Sequence, residues 1–435
     1  MKGAAWLPAA VARQPDRIAL EAGGQAITYT ELDRRAARGA RRLAACGVGP
    51  GERIGLALAP GLAFVETLHA CLRLGAVAVP IDLRLGAAER SAQTAGTALV
   101  VDEPLTGAEA DIALSEEHAQ DAIAAVVHTS GTTGAPRPVE LTYGNWEASA
   151  RGSAARLGID PADRWLCTLP LSHVGGLSIV MRSAIYGTTA VVHERFEVEA
   201  VAAALDGGGI TLVSLVPTML SRLLAAGVRP GAPLRCALLG GGPLSGPLAR
   251  GAAQAGFPLA QTYGLTEACS QVTTSRIGEP WTAGQPLPGT AVEIAPDGEI
   301  LVAGPSVAPA AVARDGRLHT GDLGRLDPEG RLTVTGRKAE IVISGGENVA
   351  PAEVEAVLES HPAVAEAAVH GRPDPEWGET VVARVVPASG RPPTAEQLRA
   401  HCRERLAGFK VPRTIELATS LPRTAAGKLR RDLLE

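Results

Sequence analysis

Apolar residues in the first hundred positions alternate between helical spacing and short unbroken runs. Thr30 is predicted as a helix N-cap, because its hydroxyl can accept a backbone N–H, and apolar residues then recur at helical spacing until Gly47. A second stretch with this spacing ends at Gly75, a typical C-cap residue. Apolar runs at 54–58 and 77–81 follow the two predicted helices. This alternation predicts a largely parallel sheet covered by helices.

The alternation continues further along the chain and then changes character. Apolar runs at 124–128, 211–216 and 236–239 extend the pattern of buried strands. From about residue 285 to 335, short strands alternate with Gly-containing turns. This change predicts a small antiparallel, barrel-like piece.

The last hundred residues read as a separate α+β unit. A helix is predicted from about Pro351, followed by strands at 364–369 and 380–386. A further helix starts at Thr394, where Gln397 completes a capping box.

The predicted fold class is α/β. A large N-terminal domain, residues 1–336, combines αβ-layered subdomains with the barrel-like piece. A small, mobile α+β C-terminal domain covers residues 337–435.

Composition narrows the class of protein. The chain has 435 residues and a formal net charge of −5, which argues against a general nucleic-acid binder. Hydrophobic residues make up 46% and charged residues 20%, which excludes a disordered chain. Aromatic residues make up 3%, too few to favour a surface that stacks the bases of single strands.

Cysteine usage and the N-terminus indicate the compartment. The six cysteines are scattered and show no C-x-x-C spacing, so neither a disulfide scaffold nor a structural zinc site is expected. Pro8 and Arg13 interrupt the region where a signal peptide needs an apolar core. No stretch reaches the ~18 apolar residues of a membrane-spanning helix. We therefore expect a soluble cytoplasmic protein with no membrane span.

Residues 129–137 form the most informative segment. Four hydroxyl residues and two glycines occupy its first six positions, directly after an apolar run. Glycines let backbone N–H groups approach phosphate oxygens, hydroxyls add donors, and Arg137 adds charge. The segment is not a Walker A loop, because the G-x-x-x-x-G-K-[ST] spacing is absent. Taken alone, a Ser/Thr/Gly-rich surface loop is the commoner reading.

This loop resembles the phosphate-binding signature of the adenylate-forming superfamily of acyl-CoA synthetases, peptide-synthetase adenylation domains and luciferases. Further segments similar to that superfamily follow in its order and cover nearly the whole chain: 169–176, 240–244, 263–267, 319–322, 336–337, 344–348 and 422–428. One such segment would be weak, whereas the ordered set is specific. The resemblance implies an AMP-forming ligase that uses ATP, Mg²⁺ and coenzyme A.

The resemblance also implies roles for individual residues. Tyr263 would stack on adenine, Asp322 and Arg337 would contact the ribose, Thr266 the α-phosphate, and Glu267 would bind Mg²⁺. The other implied nucleotide and coenzyme A contacts are Thr129, Ser130, Gly131, Thr132, Thr133, Gly134, Arg137, Gly241, Gly242, Pro243, Gly345 and Gly346.

Catalysis and acid binding complete the implied site. Lys428 would neutralise charge as a carboxylate attacks the α-phosphate, since both reactants are anionic. His173 would line the acid pocket and gate the thiol. The implied acid-binding residues are Ser172, His173, Gly264 and Gln271. The small domain would pivot near Lys338 between the two half-reactions.

The sequence departs from the superfamily pattern at three positions. Arg137 stands where lysine is usual and Pro138 where glycine is usual, while Ala339 replaces the common Asp or Lys of the hinge. Arginine binds phosphate as a planar fork, and proline stiffens the loop exit. These departures leave open a catalytically weak ATP-binding paralogue.

The identity of the acid is the least constrained inference. Residues 263–274 and 173–176 resemble o-succinylbenzoate–CoA ligases of menaquinone biosynthesis. Polar Ser270, Gln271, Thr273 and Thr274 suit a dicarboxylate better than a fatty acid. Alternatives are another aryl- or medium-chain acyl-CoA ligase, or an adenylation module that loads a carrier protein. A homodimer is compatible with the sequence.

Overall fold

The computed structural model describes residues 2–130, 136–344, 347–375, 377–388, 392–423 and 429–434. Within these residues the helices are α1 (Trp6–Arg13), α2 (Tyr29–Ala45), α3 (Leu62–Leu74), α4 (Ala87–Thr94), α5 (Tyr143–Leu157), α6 (Val174–Tyr186), α7 (Val198–Gly207), α8 (Pro217–Ala225), α9 (Gly246–Ala255), α10 (Pro351–Glu359) and α11 (Ala395–Arg403).

The strands form several sheets. In chain order they are β1 (Lys2–Ala4), β2 (Ile18–Ala22), β3 (Gln25–Thr28), β4 (Arg53–Leu56), β5 (Val77–Pro80), β6 (Leu99–Val101), β7 (Glu117–Ala119), β8 (Ile123–Ser130), β9 (Pro136–Thr142), β10 (Arg164–Cys167), β11 (Thr189–Val192), β12 (Leu212–Leu215), β13 (Cys236–Leu239), β14 (Leu259–Leu265), β15 (Ser270–Thr274), β16 (Gln285–Pro286), β17 (Ala291–Ile294), β18 (Glu299–Ala303), β19 (Leu318–Leu326), β20 (Leu332–Arg337), β21 (Val342–Ser344), β22 (Glu347–Val349), β23 (Val364–Asp374), β24 (Gly378–Pro387) and β25 (Thr414–Leu417).

Two mixed, mainly parallel sheets dominate the large domain. The nine-stranded sheet has the order β16-β15-β14-β13-β12-β10-β11-β2-β3, with parallel pairing from β14 through to β2. The five-stranded sheet has the order β6-β4-β5-β8-β9, and only its β8–β9 pair is antiparallel. Helices α1 to α3, α5 and α6 contribute buried side chains to a core shared with both sheets. The predicted α/β class is confirmed.

The predicted antiparallel piece is present as a four-stranded sheet, and the small domain is also present. Strands β17 to β20 form an antiparallel sheet in chain order, and Gly298, Gly316 and Gly330 take positive φ in its turns or at its edge. In the small domain β22, β21, β24 and β23 pair in that order, with β25 beside β24. Val354 and Leu358 of α10 are fully buried against this sheet.

The helix-cap predictions were confirmed at Gly75 and Thr394 and were wrong at Thr30. Gly75 ends α3 in the left-handed conformation, and Thr394 with Gln397 forms the capping box of α11. The predicted N-cap Thr30 is wrong, because α2 begins at Tyr29 and its cap is Thr28, whose side chain accepts the Glu31 N–H. The Thr30 hydroxyl instead donates to the Pro15 carbonyl at 3.0 Å.

Strands of the small domain extend further than predicted. The ladder between β23 and β24 runs from Val364 with Pro387 to Asp374 with Gly378. Its polar outer end lacks the apolar run that marks the buried part, so the sequence alone ended both strands early. All six cysteines carry free thiols. Among the described residues, none of the helices combines the length and apolar character that crossing a bilayer demands.

Candidate functional site

Parallel strands of the nine-stranded sheet end at one edge, and several predicted segments follow them there. Ser172 and His173 come after β10, Gly241 comes after β13, and Thr266 comes after β14. The carboxyl ends of parallel strands share an edge, and ligands of open α/β sheets bind outside that edge. The fold therefore gathers residues that lie up to 94 positions apart in sequence, from Ser172 to Thr266.

Tyr263, Asp322 and Arg337 form one connected polar chain. The Tyr263 hydroxyl donates to Oδ2 of Asp322 at 2.8 Å, and Nε of Arg337 lies 2.9 Å from Oδ1. Asp322 and Arg337 face each other across β19 and β20. The Asp322 side chain is buried, whereas that of Arg337 is nearly half exposed. Both carboxylate oxygens are thus fixed by neighbours from two different sheets.

Burial, and then the Asp322 carboxylate, raise the pKa of Tyr263. The phenol therefore stays protonated and acts as the donor to the carboxylate. A protonated phenol pinned at its hydroxyl holds the aromatic ring in one orientation. This arrangement suits a ring that must present a flat face to a ligand.

The glycine loop after β13 lies against the same strand as Tyr263. Gly241 has a φ of 76°, in the left-handed region that favours glycine. A Cβ on Gly240 would come within 2.8 Å of Cγ2 of Thr262, the residue before Tyr263. Gly242 and Pro243 are exposed. The loop therefore passes close to β14 and leaves its tip open.

The predicted phosphate loop joins the antiparallel strands β8 and β9. Thr129 faces Arg137 across this hairpin, and its hydroxyl donates to the Arg137 carbonyl at 3.4 Å. Arg137 is exposed. Residues 131–135, which include Gly131, Thr132, Thr133 and Gly134, lie outside the described residues, as does the Ser130 side chain.

Pro138 lies opposite His128 on β9, which is an edge strand. Proline removes a backbone donor, and edge strands tolerate that loss. This departure from the superfamily pattern is therefore compatible with the hairpin.

Thr266 and Glu267 lie in a short 3₁₀ turn between β14 and β15. The Glu267 carbonyl accepts the Ala308 N–H at 2.7 Å, which fixes its backbone. Among the described residues no hydrogen bond or ion pair engages the Glu267 carboxylate. No cluster of three or more His, Cys, Asp or Glu forms a metal site there either. A single free carboxylate fits Mg²⁺, which takes few protein ligands and keeps water and phosphate oxygens.

The turn continues in an unusual backbone conformation. Within the described chain Cys269 and Ser270, with φ of 52° and 89°, are the two non-glycine residues at positive φ. Such conformations cost about 1–3 kcal/mol each and cluster at functional sites. A Cβ on Gly264 would lie 1.8 Å from the Ser270 carbonyl oxygen, so glycine is required opposite the turn.

Gln271 lies just beyond this turn and is 2% exposed. Its Nε2 donates to the Thr274 hydroxyl at 2.9 Å, whereas its Oε1 has no partner among the described residues. Thr273 and Thr274 are fully buried, and their hydroxyls donate to the Ala283 and Thr273 carbonyls, respectively. Their polar atoms are thus engaged in the fold, contrary to the idea that they serve the acid directly.

His173 contacts two residues that sequence reasoning missed. Its Nε2 lies 2.8 Å from Nη2 of Arg84 and 3.5 Å from Oδ2 of Asp82. Arg84 also donates from Nε to Oδ1 of the buried Asp82 at 2.8 Å. Both residues follow the carboxyl end of β5, another parallel strand. That position could have marked them as candidate site residues in the sequence.

The pKa of His173 is lowered by burial and then by the Arg84 guanidinium, while Asp82 opposes the shift. The imidazole is therefore neutral at pH 7. Since guanidinium can only donate, Nε2 must accept from Arg84 and the proton resides on Nδ1. Arg84 thus selects one tautomer of His173.

The hinge region is anchored to the large domain. Lys338 Nζ lies 2.6 Å from Oδ2 of Asp297 and 3.2 Å from Oε2 of Glu299. Gly345, Gly346 and Lys428 lie outside the described residues.

Comparison with known proteins places the whole chain in context. Residues 7–310 match the family model described as AMP-binding enzyme, and residues 353–428 match the AMP-binding enzyme C-terminal domain. The chain is 39% identical to the 2-succinylbenzoate–CoA ligase of Bacillus subtilis (strain 168), over 99% of this chain and 97% of that one.

Solved structures of o-succinylbenzoate coenzyme A synthetase from Bacillus subtilis share the fold. The complex with the acyl-adenylate OSB-AMP is 39% identical, covers 100% of this chain and 98% of that one, and gives a TM-score of 0.92. The complex with ATP and magnesium ion is 38% identical over 100% of both chains, with a TM-score of 0.91. A double mutant bound with the product analogue OSB-NCoA is 38% identical over 100% and 98%, with a TM-score of 0.75. The overall arrangement here is thus closer to the adenylate complex.

Proposed function

The chain belongs to the family of AMP-binding enzymes, and from that premise we propose that it is an acid–thiol ligase for 2-succinylbenzoate. The acid and ATP give acyl-adenylate and pyrophosphate, and coenzyme A then gives the acyl thioester and AMP. One observation carries the choice of acid: the 39% identity with the Bacillus subtilis ligase extends over 99% of the chain.

The nucleotide would lie across the edge of the nine-stranded sheet. Tyr263 would stack on adenine opposite the exposed Gly241–Pro243 tip, and Asp322 would accept hydrogen bonds from the ribose hydroxyls. Arg337 would add a further contact at the exposed end of its ion pair with Asp322. The triphosphate would run towards the β8–β9 hairpin, where Thr129 and Arg137 lie.

The first half-reaction brings two anions together. A carboxylate oxygen attacks the α-phosphorus, and the bond from phosphorus to the pyrophosphate oxygen breaks. Glu267 would hold Mg²⁺, which neutralises phosphate charge when bound. Thr266 would donate to the α-phosphate, and Lys428 would supply an ammonium between the reactants.

The second half-reaction breaks the bond between the acyl carbon and the AMP oxygen as the coenzyme A sulfur attacks. Gly345 and Gly346 would line the pantetheine path, where no Cβ blocks a narrow channel. Ser172, His173, Gly264 and Gln271 would surround the acid. Gln271 Oε1 has no partner among the residues that the structure describes, which supports a role towards a ligand.

A screen of acids with the purified protein tests this function. With ATP and coenzyme A, 2-succinylbenzoate should give thioester and AMP at a higher kcat/KM than benzoate or octanoate. Good turnover of benzoate or octanoate with none of 2-succinylbenzoate would refute the substrate but keep the ligase. Absence of acid-dependent pyrophosphate exchange with every acid would instead support the inactive ATP-binding paralogue.

Finer points remain predictions of their own. A division of the chain at residues 336 and 337, a cytoplasmic location and a homodimer rest on the sequence alone. Replacing coenzyme A by a holo-carrier protein in the same screen would reveal the alternative in which the acyl group is loaded onto a carrier.

A further inference from the structure

Glu299 is a buried carboxylate that contacts the hinge, and the proposed chemistry does not use it. It lies on β18 and is 6% exposed. Its Oε1 accepts the Gly321 N–H at 2.9 Å, and its Oε2 lies 3.2 Å from Lys338 Nζ and 3.5 Å from His319 Nδ1. Burial alone would raise the pKa of Glu299, but the Gly321 N–H and the Lys338 ammonium outweigh burial and lower the pKa. The carboxylate is therefore ionised at pH 7.

Asp297 supplies a second carboxylate to the same ammonium. It lies in the turn between β17 and β18, where its Oδ1 accepts the Glu299 N–H at 3.2 Å. Its Oδ2 lies 2.6 Å from Lys338 Nζ. The Asp297 side chain is half exposed, whereas that of Glu299 is buried. Because contacts between charges weaken with exposure to water, we expect Glu299 to hold Lys338 more strongly than Asp297 does.

Lys338 is the first residue of the short 3₁₀ turn that follows β20 and leads into the small domain. The residue before it, Arg337, ends β20 and pairs with Asp322 at 2.9 Å. Two consecutive basic side chains therefore bind carboxylates of the same four-stranded sheet. The overall arrangement that holds these contacts is closer to the adenylate complex of the Bacillus subtilis enzyme than to the product-analogue complex of its double mutant.

We propose that Glu299 is a positioning residue that holds Lys338 and thereby favours the orientation of the small domain for the first half-reaction. This inference rests on the function proposed above. A contact made in only one of two orientations shifts their equilibrium by the free energy of that contact. When each half-reaction needs its own orientation, the ratio of the two rates follows the ratio of the two populations. Weakening the contact should therefore slow the first half-reaction relative to the second.

The variants Glu299→Gln and Lys338→Met remove the same ion pair from its buried and its exposed side. The glutamine oxygen can still accept the Gly321 N–H, so the first change is confined to the charge. Pyrophosphate exchange with 2-succinylbenzoate and thioester formation from supplied acyl-adenylate are measured for each variant. The ratio of the first rate to the second should fall by about fivefold, as expected for an ion pair with one exposed partner. The double variant should lose little more than either single variant, and Lys338→Arg should stay near wild type.

Asp327→Asn is the matched control. In the turn between β19 and β20 of the same sheet, Asp327 accepts the Arg331 N–H at 2.8 Å and pairs with Arg331 Nε at 2.6 Å. It thus combines a backbone hydrogen bond with an ion pair, as Glu299 does, but its partner is not the hinge lysine. An unchanged ratio in Glu299→Gln would overturn the proposal, and Lys338→Met decides in its place should Glu299→Gln fail to fold. A rise in KM for ATP with an unchanged ratio would also overturn it, because Glu299 would then only support the loop before Asp322.

Tryptic cleavage after Lys338 gives a readout that does not depend on activity. Trypsin must bind the lysine side chain in its own specificity pocket, so Lys338 has to leave Glu299 before the bond to Ala339 is cut. Cleavage at this bond, followed by mass spectrometry, should be about fivefold faster in Glu299→Gln than in the wild type and unchanged in Asp327→Asn. Equal rates in Glu299→Gln and the wild type would contradict the proposal. An enzyme inactive with every acid would refute the proposed function, while the cleavage rates would still decide whether Glu299 holds the hinge.

Discussion

The polar groups of the candidate site are hydrogen-bonded to different extents on its two sides. The nucleoside side contains Tyr263, Asp322 and Arg337, and the acid side contains Gln271. On the nucleoside side, Tyr263 and Arg337 engage both oxygens of the Asp322 carboxylate. On the acid side, Oε1 of the buried Gln271 has no hydrogen-bond partner within the described part of the chain. A closed network is organised before the ligand binds, whereas an open polar group gains its partner from the ligand. Under the proposed assignment, the nucleotide site would be fixed before binding, and selectivity for the acid would come from hydrogen bonds that the ligand completes.

The largest effect is expected from Lys428→Ala, which removes the ammonium that is proposed to act between the two anionic reactants. Pyrophosphate exchange should fall by about 10³-fold, because charge stabilisation at phosphorus is lost. Thioester formation from supplied acyl-adenylate should be almost unchanged. The control is Lys410→Ala, another small-domain lysine, which pairs with Glu353 at 2.7 Å. Equal loss of both half-reactions would contradict the role given to Lys428.

Glu267→Gln should have the next largest effect. The neutral amide is a poor Mg²⁺ ligand, so kcat of exchange should fall by about 10²-fold and recover partly at high Mg²⁺. Glu199→Gln, on the exposed first turn of α7, serves as control. Exchange by Glu267→Gln that needs no additional Mg²⁺ would argue against metal binding.

Asp322→Asn would break the closed network of the nucleoside side. The buried amide leaves the Arg337 guanidinium without its charge partner, so KM for ATP should rise about tenfold, equivalent to ~1.4 kcal/mol. Tyr263→Phe removes a single hydrogen bond and should raise KM for ATP less. KM for the acid should stay unchanged in both variants. If KM rose for the acid alone, Tyr263 and Asp322 would belong to the acid site and not to the nucleoside site.

Arg84→Met tests the contact between Arg84 and His173 on the acid side, and we expect it to change the rate least. Loss of the cation and exposure of His173 to an unpaired Asp82 both favour the imidazolium, so the pKa of His173 should rise. The acid limb of the pH–rate profile for thioester formation should therefore move to higher pH. NMR titration of the imidazole measures the pKa directly, and Arg90→Met on α4 is the control. An unchanged or lower pKa would contradict the contact.

Local chemistry could be predicted from the sequence where one residue decides the outcome. As predicted, Gly75 ends α3 as a left-handed C-cap, and Thr394 starts α11 through a capping box. Both motifs depend on neighbouring residues alone. The prediction that Thr30 caps helix α2 was wrong, because Thr28 is the N-cap instead. The antiparallel pairing of Thr28 with Ile18 ends β3 there and starts the helix earlier.

Candidate site residues could be proposed from the sequence only where they form a recognisable motif. Tyr263 and Asp322 were proposed in this way, and the structure adds the hydrogen bond between them, which the sequence did not predict. Arg84 was missed, since it follows a strand without a motif. Its contact with His173 arises from which elements pack together, and that information is absent from local spacing.

A co-crystal structure with ATP and Mg²⁺ would show directly whether the nucleotide binds across the edge of the nine-stranded sheet. We expect adenine on Tyr263, ribose hydroxyls on Asp322, and the triphosphate between Glu267 and the hairpin at residues 129–137. Nucleotide bound elsewhere, or an Asp322 carboxylate that turns away from the ribose, would contradict this expectation.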